Sequence, residues 1–278
     1  MKKKNRASSA ICLTLLFVFL FAPILVLIVF SFNAGKSTAN MSGFSFRWYK
    51  SLFTDGAALQ ALRNSVILAV TSAVISTVMG TAAAYGISKM RRKYLKAAVM
   101  TVTDIPMMNP DIITGISLML MFVFVGSLLR FTESLNFFTM LIAHITFSLP
   151  YVILSVLPKF NQMDKSMPEA ALDLGCTPLQ SLFRVELPEI MPGVVTGGLM
   201  AFTMSLDDFV ISYFTKGSSF QTLPLYIYGM TKKTVTPDMY ALATIIFFVI
   251  LILLIISNII STKDERKQAK IRKSLNKT

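Results

Sequence analysis

Residues 167–192 read MPEAALDLGCTPLQSLFRVELPEIMP, a polar, helix-forming stretch lodged between two long apolar runs. Met167-Pro168-Glu169 opens a helix, because a first turn has no use for the N–H that proline lacks and an acidic residue suits the positive end of the helix dipole. Ala170, Ala171, Leu172 and Leu174 propagate it, and Gly175 supplies the left-handed position that stops it. Thr177-Pro178 starts a second helix on which Leu179, Leu182 and Phe183 recur at helical spacing, leaving a small apolar face for a partner's groove. Pro188 and Pro192 are expected to break that helix before the next apolar run. The simpler alternative is an amphipathic helix lying on a membrane surface.

The runs on either side set the fold class. Hydrophobic residues make up 54% of the 278 and charged residues 15%, well under the roughly one-quarter charged content of soluble domains. A hydrocarbon core of about 30 Å needs roughly 20 apolar residues in a helix. Six segments qualify: Ala10 to Phe32, Val66 to Ser88, Ala97 to Val125, Phe137 to Leu157, Gly193 to Phe214 and Met239 to Ile260. The expectation is an all-α, polytopic bundle of six transmembrane helices, forming one membrane domain over 1–278 with a polar loop at 159–192 and a basic tail at 262–278. The longest gaps, 33–65 and 159–192, are too short to fold alone, so any catalysis must come from a partner. Between the first two spans, Phe44, Phe46, Trp48, Tyr49 and Leu52 read as an interfacial helix with its rings at headgroup level.

The formal charge of +13 is a topology signal. Of the 27 Lys and Arg, 19 fall on one side of the six-span arrangement, in 2–6, 89–96, 159–184 and 263–277. The positive-inside bias then puts both termini and the Glu169 loop in the cytoplasm, and a nucleic-acid role is not indicated. Met1 to Arg6 and the apolar run behind them resemble a secretory signal, but the run exceeds the 7–15 residues of a signal core, so an uncleaved first span is expected. Cys12 and Cys176 lie in different settings and make no disulfide framework.

A phosphate-cradling Walker loop needs Gly, four residues, then Gly-Lys-Ser/Thr. Gly35-Lys36-Ser37 comes nearest, but the position of the first Gly holds Phe30, so this chain is expected to bind no ATP and no other cofactor. His144 is the sole histidine, which leaves no His-based triad or metal site and favours an interhelical hydrogen bond. Carboxylates at membrane depth are the sharper signal, since charge in hydrocarbon normally faces a cavity or a partner. These are Asp104, Asp111, Asp207 and Asp208. Asp207 is 15 residues beyond Pro192, roughly 22 Å along a helix, where it would meet a substrate from outside. Asp111 follows Pro106 and Pro110, where a broken helix frees carbonyls to line a path. Adjacent residues on a helix point about 100° apart, so only one of Asp207 and Asp208 can face a lumen; the alternative for the pair is capping or an interhelical role near a bend. Tyr213, Phe214, Phe220, Tyr226 and Tyr228 add rings that attract cations through their faces, although interfacial belts use the same residues.

Glu169-Ala170-Ala171, Gly175, Val185 and Leu187-Pro188 follow the spacing of the EAA loop in membrane subunits of binding-protein-dependent ABC importers, with Val185 in place of Ile. Ser205-Leu206-Asp207-Asp208-Phe209, Leu223-Pro224-Leu225-Tyr226-Ile227-Tyr228, Pro110-Asp111-Ile112, Gly115-Ile116-Ser117-Leu118 and His144-Ile145-Thr146-Phe147 with Leu149-Pro150 resemble the second permease subunit of spermidine/putrescine ABC importers. That resemblance implies a type I importer in a bacterial cytoplasmic membrane: two permease subunits, two ATPase subunits that carry ATP and Mg, and an extracytoplasmic polyamine-binding protein. It also implies that Glu169, Ala170, Ala171, Gly175, Leu179 and Leu182 dock on an ATPase. Asp207, Asp208, Asp111 and Tyr213 remain the candidate substrate pathway. The competing expectations are another cargo, such as a ferric ion, a sugar or thiamine, and a carrier or scaffold that works without an ATPase.

Overall fold

The computed structural model describes residues 2–35, 40–52, 54–130, 134–164, 166–218, 220–232 and 237–275. Lys36 and Ser37 of the near-Walker segment, Lys165 of the loop and the last three residues of the tail lie outside them. In chain order the elements are α1 (Lys2–Ser31), α2 (Arg47–Leu52), α3 (Gly56–Ser88), α4 (Lys93–Met108), α5 (Asp111–Leu128), α6 (Phe137–Gln162), α7 (Ser166–Asp173), α8 (Pro178–Ser181), a π-helical turn (Leu182–Glu186), α9 (Leu187–Asp207), α10 (Val210–Thr215), α11 (Leu223–Thr231) and α12 (Pro237–Leu275). Among the described residues, six helical stretches are long and apolar enough to cross a membrane: Ile11–Ser31, Gly56–Ser88, Asp111–Leu128, Phe137–Gln162, Pro178–Asp207 and Pro237–Ile256.

Two of the expected spans are divided. Ala97 to Val125 is not one helix. α4 stops at Met108, Asn109 is extended (ψ 140°), and α5 restarts behind Pro110. The ring of Pro110 crowds an α conformation at the residue before it, and its nitrogen offers no hydrogen bond. The membrane-length piece is therefore α5, whose 18 residues extend about 27 Å. Gly193 to Phe214 is likewise two helices, α9 and α10, separated at Asp208 and Phe209. At the other end α9 begins earlier than expected, and Pro188 and Pro192 lie inside it instead of breaking it. The π-turn accounts for Pro188: the N–H of Leu187 reaches back five residues to the carbonyl of Leu182. The ladder is thereby shifted just before proline's missing donor, which falls in the first turn of α9 where it costs little.

Residues 61–225 and 250–278 make one compact unit. Its central strut is α6, with Met140, Ala143, His144, Phe147, Val152, Ile153, Val156, Leu157 and Phe160 among its buried residues. α9 lies along it through Gly193, Gly197 and Ala201, a small residue every fourth position. A methyl at Gly193 would sit 2.6 Å from Lys159 Cγ and 2.9 Å from the Ser155 carbonyl oxygen, and one at Gly197 would sit 3.2 Å from Val152 Cα. From α3, Gly80 approaches Val152 as closely. Lipid tails are as apolar as leucine, so close backbone packing of this kind holds membrane helices together where water-driven burial does not. Ala73, Ala84 and Ile87 of α3, Val156 and Phe160 of α6 and Ile190 of α9 complete the shared core.

Residues 1–60 and 226–249 make the other unit. Here α2 is a six-residue helix whose Trp48 and Leu52 are buried. Trp48 Nε1 donates to the Asn33 carbonyl at 2.6 Å, and the Tyr49 hydroxyl is 2.7 Å from Ser31 Oγ. Two of the rings expected at headgroup level are therefore spent on holding the end of α1. Phe44 and Phe46 remain exposed beside Phe32.

Candidate functional site

The loop between α6 and α9 is organised by local hydrogen bonds. Asp164 accepts from the Ser166 N–H at 3.0 Å at the start of α7, which holds its carboxyl below the usual carboxylate range. At the other end of α7, the Cys176 N–H bonds the Ala171 carbonyl and the Gly175 N–H bonds that of Leu172, with Gly175 at φ +88°. That pair of bonds is a Schellman turn, and it requires a left-handed residue at Gly175. Thr177 and Gln180 then form a reciprocal capping box for α8, with Pro178 in its first turn.

The outcome is a ridge with two faces. Pro168, Ala171, Ser181 and Glu186 are buried, and Leu182 is half-buried against the core of α3, α6 and α9. Ala171 and Leu182 therefore hold the loop down and do not face outward as the spacing suggested. Glu169, Ala170, Gly175 and Leu179 are exposed. Leu179 is 67% exposed and Phe183, expected on the same apolar face, 63%; beside them stands Leu174 at 87%, a residue the spacing marked only as a helix former. The signal for Leu174 was its place beside Gly175, where the chain turns sharply outward.

The second candidate lies at the far end of α9, whose 21 residues separate it from the loop by about 30 Å. There the adjacent aspartates part company. Asp208 turns inward, its side chain 7% exposed. Its Oδ2 accepts from the Ser212 N–H at 2.7 Å and its Oδ1 from the Ile211 N–H at 3.2 Å, so it caps α10. The same carboxylate is 3.5 Å from His144 Nε2, which also lies 3.0 Å from Ser212 Oγ. On the other edge of the ring, Nδ1 is 2.7 Å from Ser205 Oγ, and that hydroxyl is 2.9 Å from Ser72 Oγ. With its proton on Nε2, His144 accepts from Ser205, which accepts from Ser72, so the buried donors run in one direction from α3 through α9 and α6 to the start of α10. The interhelical role expected for His144 is what the structure shows, and Asp208 is its partner.

Asp207 is exposed at the last residue of α9. Tyr213, 41% exposed, has its ring 5.6 Å from Phe209 and 5.4 Å from Phe214. Asp111 is exposed in the first turn of α5. It lies one turn before Gly115, against which Phe214 of α10 packs so closely that a methyl there would sit 2.9 Å from Cδ2. Asp111 also lies within electrostatic reach of the Tyr151 hydroxyl.

Phe220 packs on Phe137 at 5.0 Å. Tyr226 and Tyr228 belong to the other unit, where the Tyr226 hydroxyl donates to Asp55 Oδ2 at 2.7 Å and Lys232 Nζ sits 4.8 Å above the Tyr228 ring. The Tyr226 hydroxyl, with the backbone N–H of Ala57, holds the Asp55 carboxyl below its usual range, while burial and this bond push Tyr226 up to about 12.

The chain as a whole is similar to known transport proteins. Residues 76–266 match the family described as binding-protein-dependent transport system inner membrane component. The chain is 39% identical over 248 residues to the spermidine/putrescine transport system permease protein PotC of Haemophilus influenzae, covering 89% of this chain and 94% of that one. It is 37% identical over 236 residues to the putrescine transport system permease protein PotI of Escherichia coli K12, covering 85% and 84%. In fold it is similar to a chain in the crystal structure of a bacterial ABC transporter involved in import of the acidic polysaccharide alginate, with a TM-score of 0.71, 17% identity, and 95% and 96% of the two chains covered. This multi-pass, all-α chain belongs to the family of binding-protein-dependent transport system inner membrane components.

Proposed function

We propose that the chain is a permease subunit of an ATP-driven importer of polyamines such as spermidine and putrescine, in a bacterial cytoplasmic membrane with both termini and the 166–186 ridge on the cytoplasmic side. The observation that carries the cargo is the 39% and 37% identity to permeases of spermidine/putrescine and putrescine systems over most of the chain. Its partners are a second permease, a pair of ATPases that hold ATP and Mg, and an extracytoplasmic polyamine-binding protein; this chain binds no cofactor itself.

The exposed ridge of Glu169, Ala170, Gly175, Leu174, Leu179 and Phe183 fits a partner's cleft, because apolar side chains of that size in a polar loop gain most when covered. Movement of the ridge on closure of the ATPases tilts α6 and α9 and alternates access from one side of the membrane to the other. Asp207 offsets the charge of an ammonium entering from outside, with Tyr213 offering the face of its ring. Asp111, exposed in the first turn of α5, offers a second carboxylate to the other end of a chain that carries cations at its ends. Asp208 serves the pathway indirectly, by capping α10 and pairing with His144.

The complex assembled in vesicles, with a polyamine-loaded binding protein outside and ATP inside, is expected to accumulate labelled spermidine and to lose that uptake when unlabelled putrescine is in excess. ATP-dependent uptake that ignores both amines would reject the cargo. A chain active without any ATPase would reject the importer.

A further inference from the structure

Glu186 is an acidic side chain buried at the root of the ridge, 3% exposed, on the last residue of the π-turn where the loop becomes α9. Lys89, immediately beyond α3, reaches it: Nζ lies 3.2 Å from Oε1 and 3.0 Å from Oε2. Among the described residues no other ion pair serves this carboxylate. The same ammonium is 5.2 Å from the centre of the Tyr85 ring, and Tyr85 packs on Phe160 of α6 at 5.8 Å. Leu182 and Leu187, on either side of the π-turn, pack against the core that contains Ile87, Phe160 and Ile190. One charge pair thus ties the root of the ridge to the end of α3, beside an aromatic contact to α6.

Lys89 is half-exposed and screened by water, but Glu186 is buried, so separating the two leaves that carboxylate without its charged partner in a dry setting. A π-turn is a place where a helix has an extra residue and an altered register, and such turns are frequent at functional positions. We propose that Lys89 and Glu186 are a positioning pair that makes α3 follow the ridge, so that ridge displacement reorients the helix bundle and is not absorbed by bending at the π-turn. This rests on the reading that the ridge docks on an ATPase, and it adds a residue of α3 and a non-docking residue of the loop to the coupling apparatus.

The test uses the full complex in vesicles and reads amine moved per ATP hydrolysed. The double variant Lys89→Met with Glu186→Gln removes both charges and keeps the side-chain volumes. It is expected to hydrolyse ATP at a rate within about twofold of the parent while amine per ATP falls about tenfold, inside the 5- to 150-fold range of ordinary coupling between sites. Lys89→Arg, which keeps the pair, is expected to keep the ratio, a rescue that a general packing defect would not give. Should the double variant fail to assemble, the ratio is read in Lys89→Gln, at the half-exposed end of the pair. An unchanged ratio in whichever neutral variant assembles overturns the proposal. A photoreactive phenylalanine analogue in place of Leu174 separates the two readings: no cross-link to the ATPase in the otherwise unaltered complex overturns docking and strut together. A cross-link with an unchanged ratio overturns the strut alone.

Discussion

Replacing Gly175 with valine tests the ridge through its backbone. Gly175 holds φ +88°, and a methyl added there would meet nothing within 4 Å, so the substitution creates no clash and acts through conformation. The left-handed region costs an L-residue about 1–2 kcal/mol, and a branched side chain falls at or above the upper end, about 2 kcal/mol or slightly more. Two kilocalories correspond to about a thirtyfold change in the local equilibrium between the closed Schellman turn and an opened one. The helices that cross the membrane lie outside this turn, so insertion and the packing of α9 on α6 are expected to persist. In reconstituted complexes the valine variant is expected to lose about tenfold or more of its ATP-driven uptake, with the chain present at parental levels. Gly175→Asn, which tolerates the left-handed region better, is expected to fall between valine and the parent. Parental transport by the valine variant would refute the role of the turn. Asparagine as damaging as valine would refute the conformational reasoning and point to side-chain bulk on the docking face.

Gly193→Val directs a side chain at the Ser155 carbonyl, 2.9 Å from the added methyl; backbone cannot yield there, so a loss of about 1–3 kcal/mol is expected as a lower thermal midpoint in detergent. Asp207→Asn and Asp208→Asn are expected to separate in kinetics: the exposed Asp207 raises KM for the amine with assembly intact, while the inward Asp208 lowers thermal stability by about 1–3 kcal/mol, and equal effects on KM would remove the distinction. Tyr226→Phe is expected to cost about 0.5–1.5 kcal/mol, as for a hydrogen bond that water still partly screens, read as faster proteolysis near 55 and 226. The depressed Asp55 contributes stability above its unfolded value of about 3.9 and loses it as pH falls through its lower folded value; Tyr226 contributes below about 10 and loses its share as pH rises through about 12. Protection of this contact is thus expected to stay flat from about pH 5 to 9, and a midpoint near neutrality would contradict the assignment.

The parts of the loop that were legible in the sequence are those whose causes lie within a few residues. Thr177, Pro178 and Gln180 cap each other, and Gly175 turns left-handed because the residues around it end a helix there. His144, a single imidazole in an apolar run, was readable as a hydrogen-bonding link between helices because a buried polar ring must find partners. The broken helix at Pro110 had its signal in the proline itself, but the hydropathy of 97–125 runs on through it, so the segment was still drawn as one span and not as α4 and α5. Pro188 and Pro192 misled for the opposite reason: their breaking tendency is local, while the π-turn that relieves one of them depends on how Leu182 and Leu187 seat against α3 and α6.

Length, hydropathy and charge distribution were enough to determine a six-span helical membrane chain with an unusual polar ridge between its fourth and fifth spans, since the bilayer imposes a length and a polarity on every segment that crosses it. Which of two neighbouring aspartates turns inward, which face of the ridge is left uncovered, and that Lys89 meets a glutamate 97 positions away were decided only by tertiary packing. Those outcomes depend on where small residues allow α9 to close on α6, and on which buried polar atoms then come within hydrogen-bonding reach of one another.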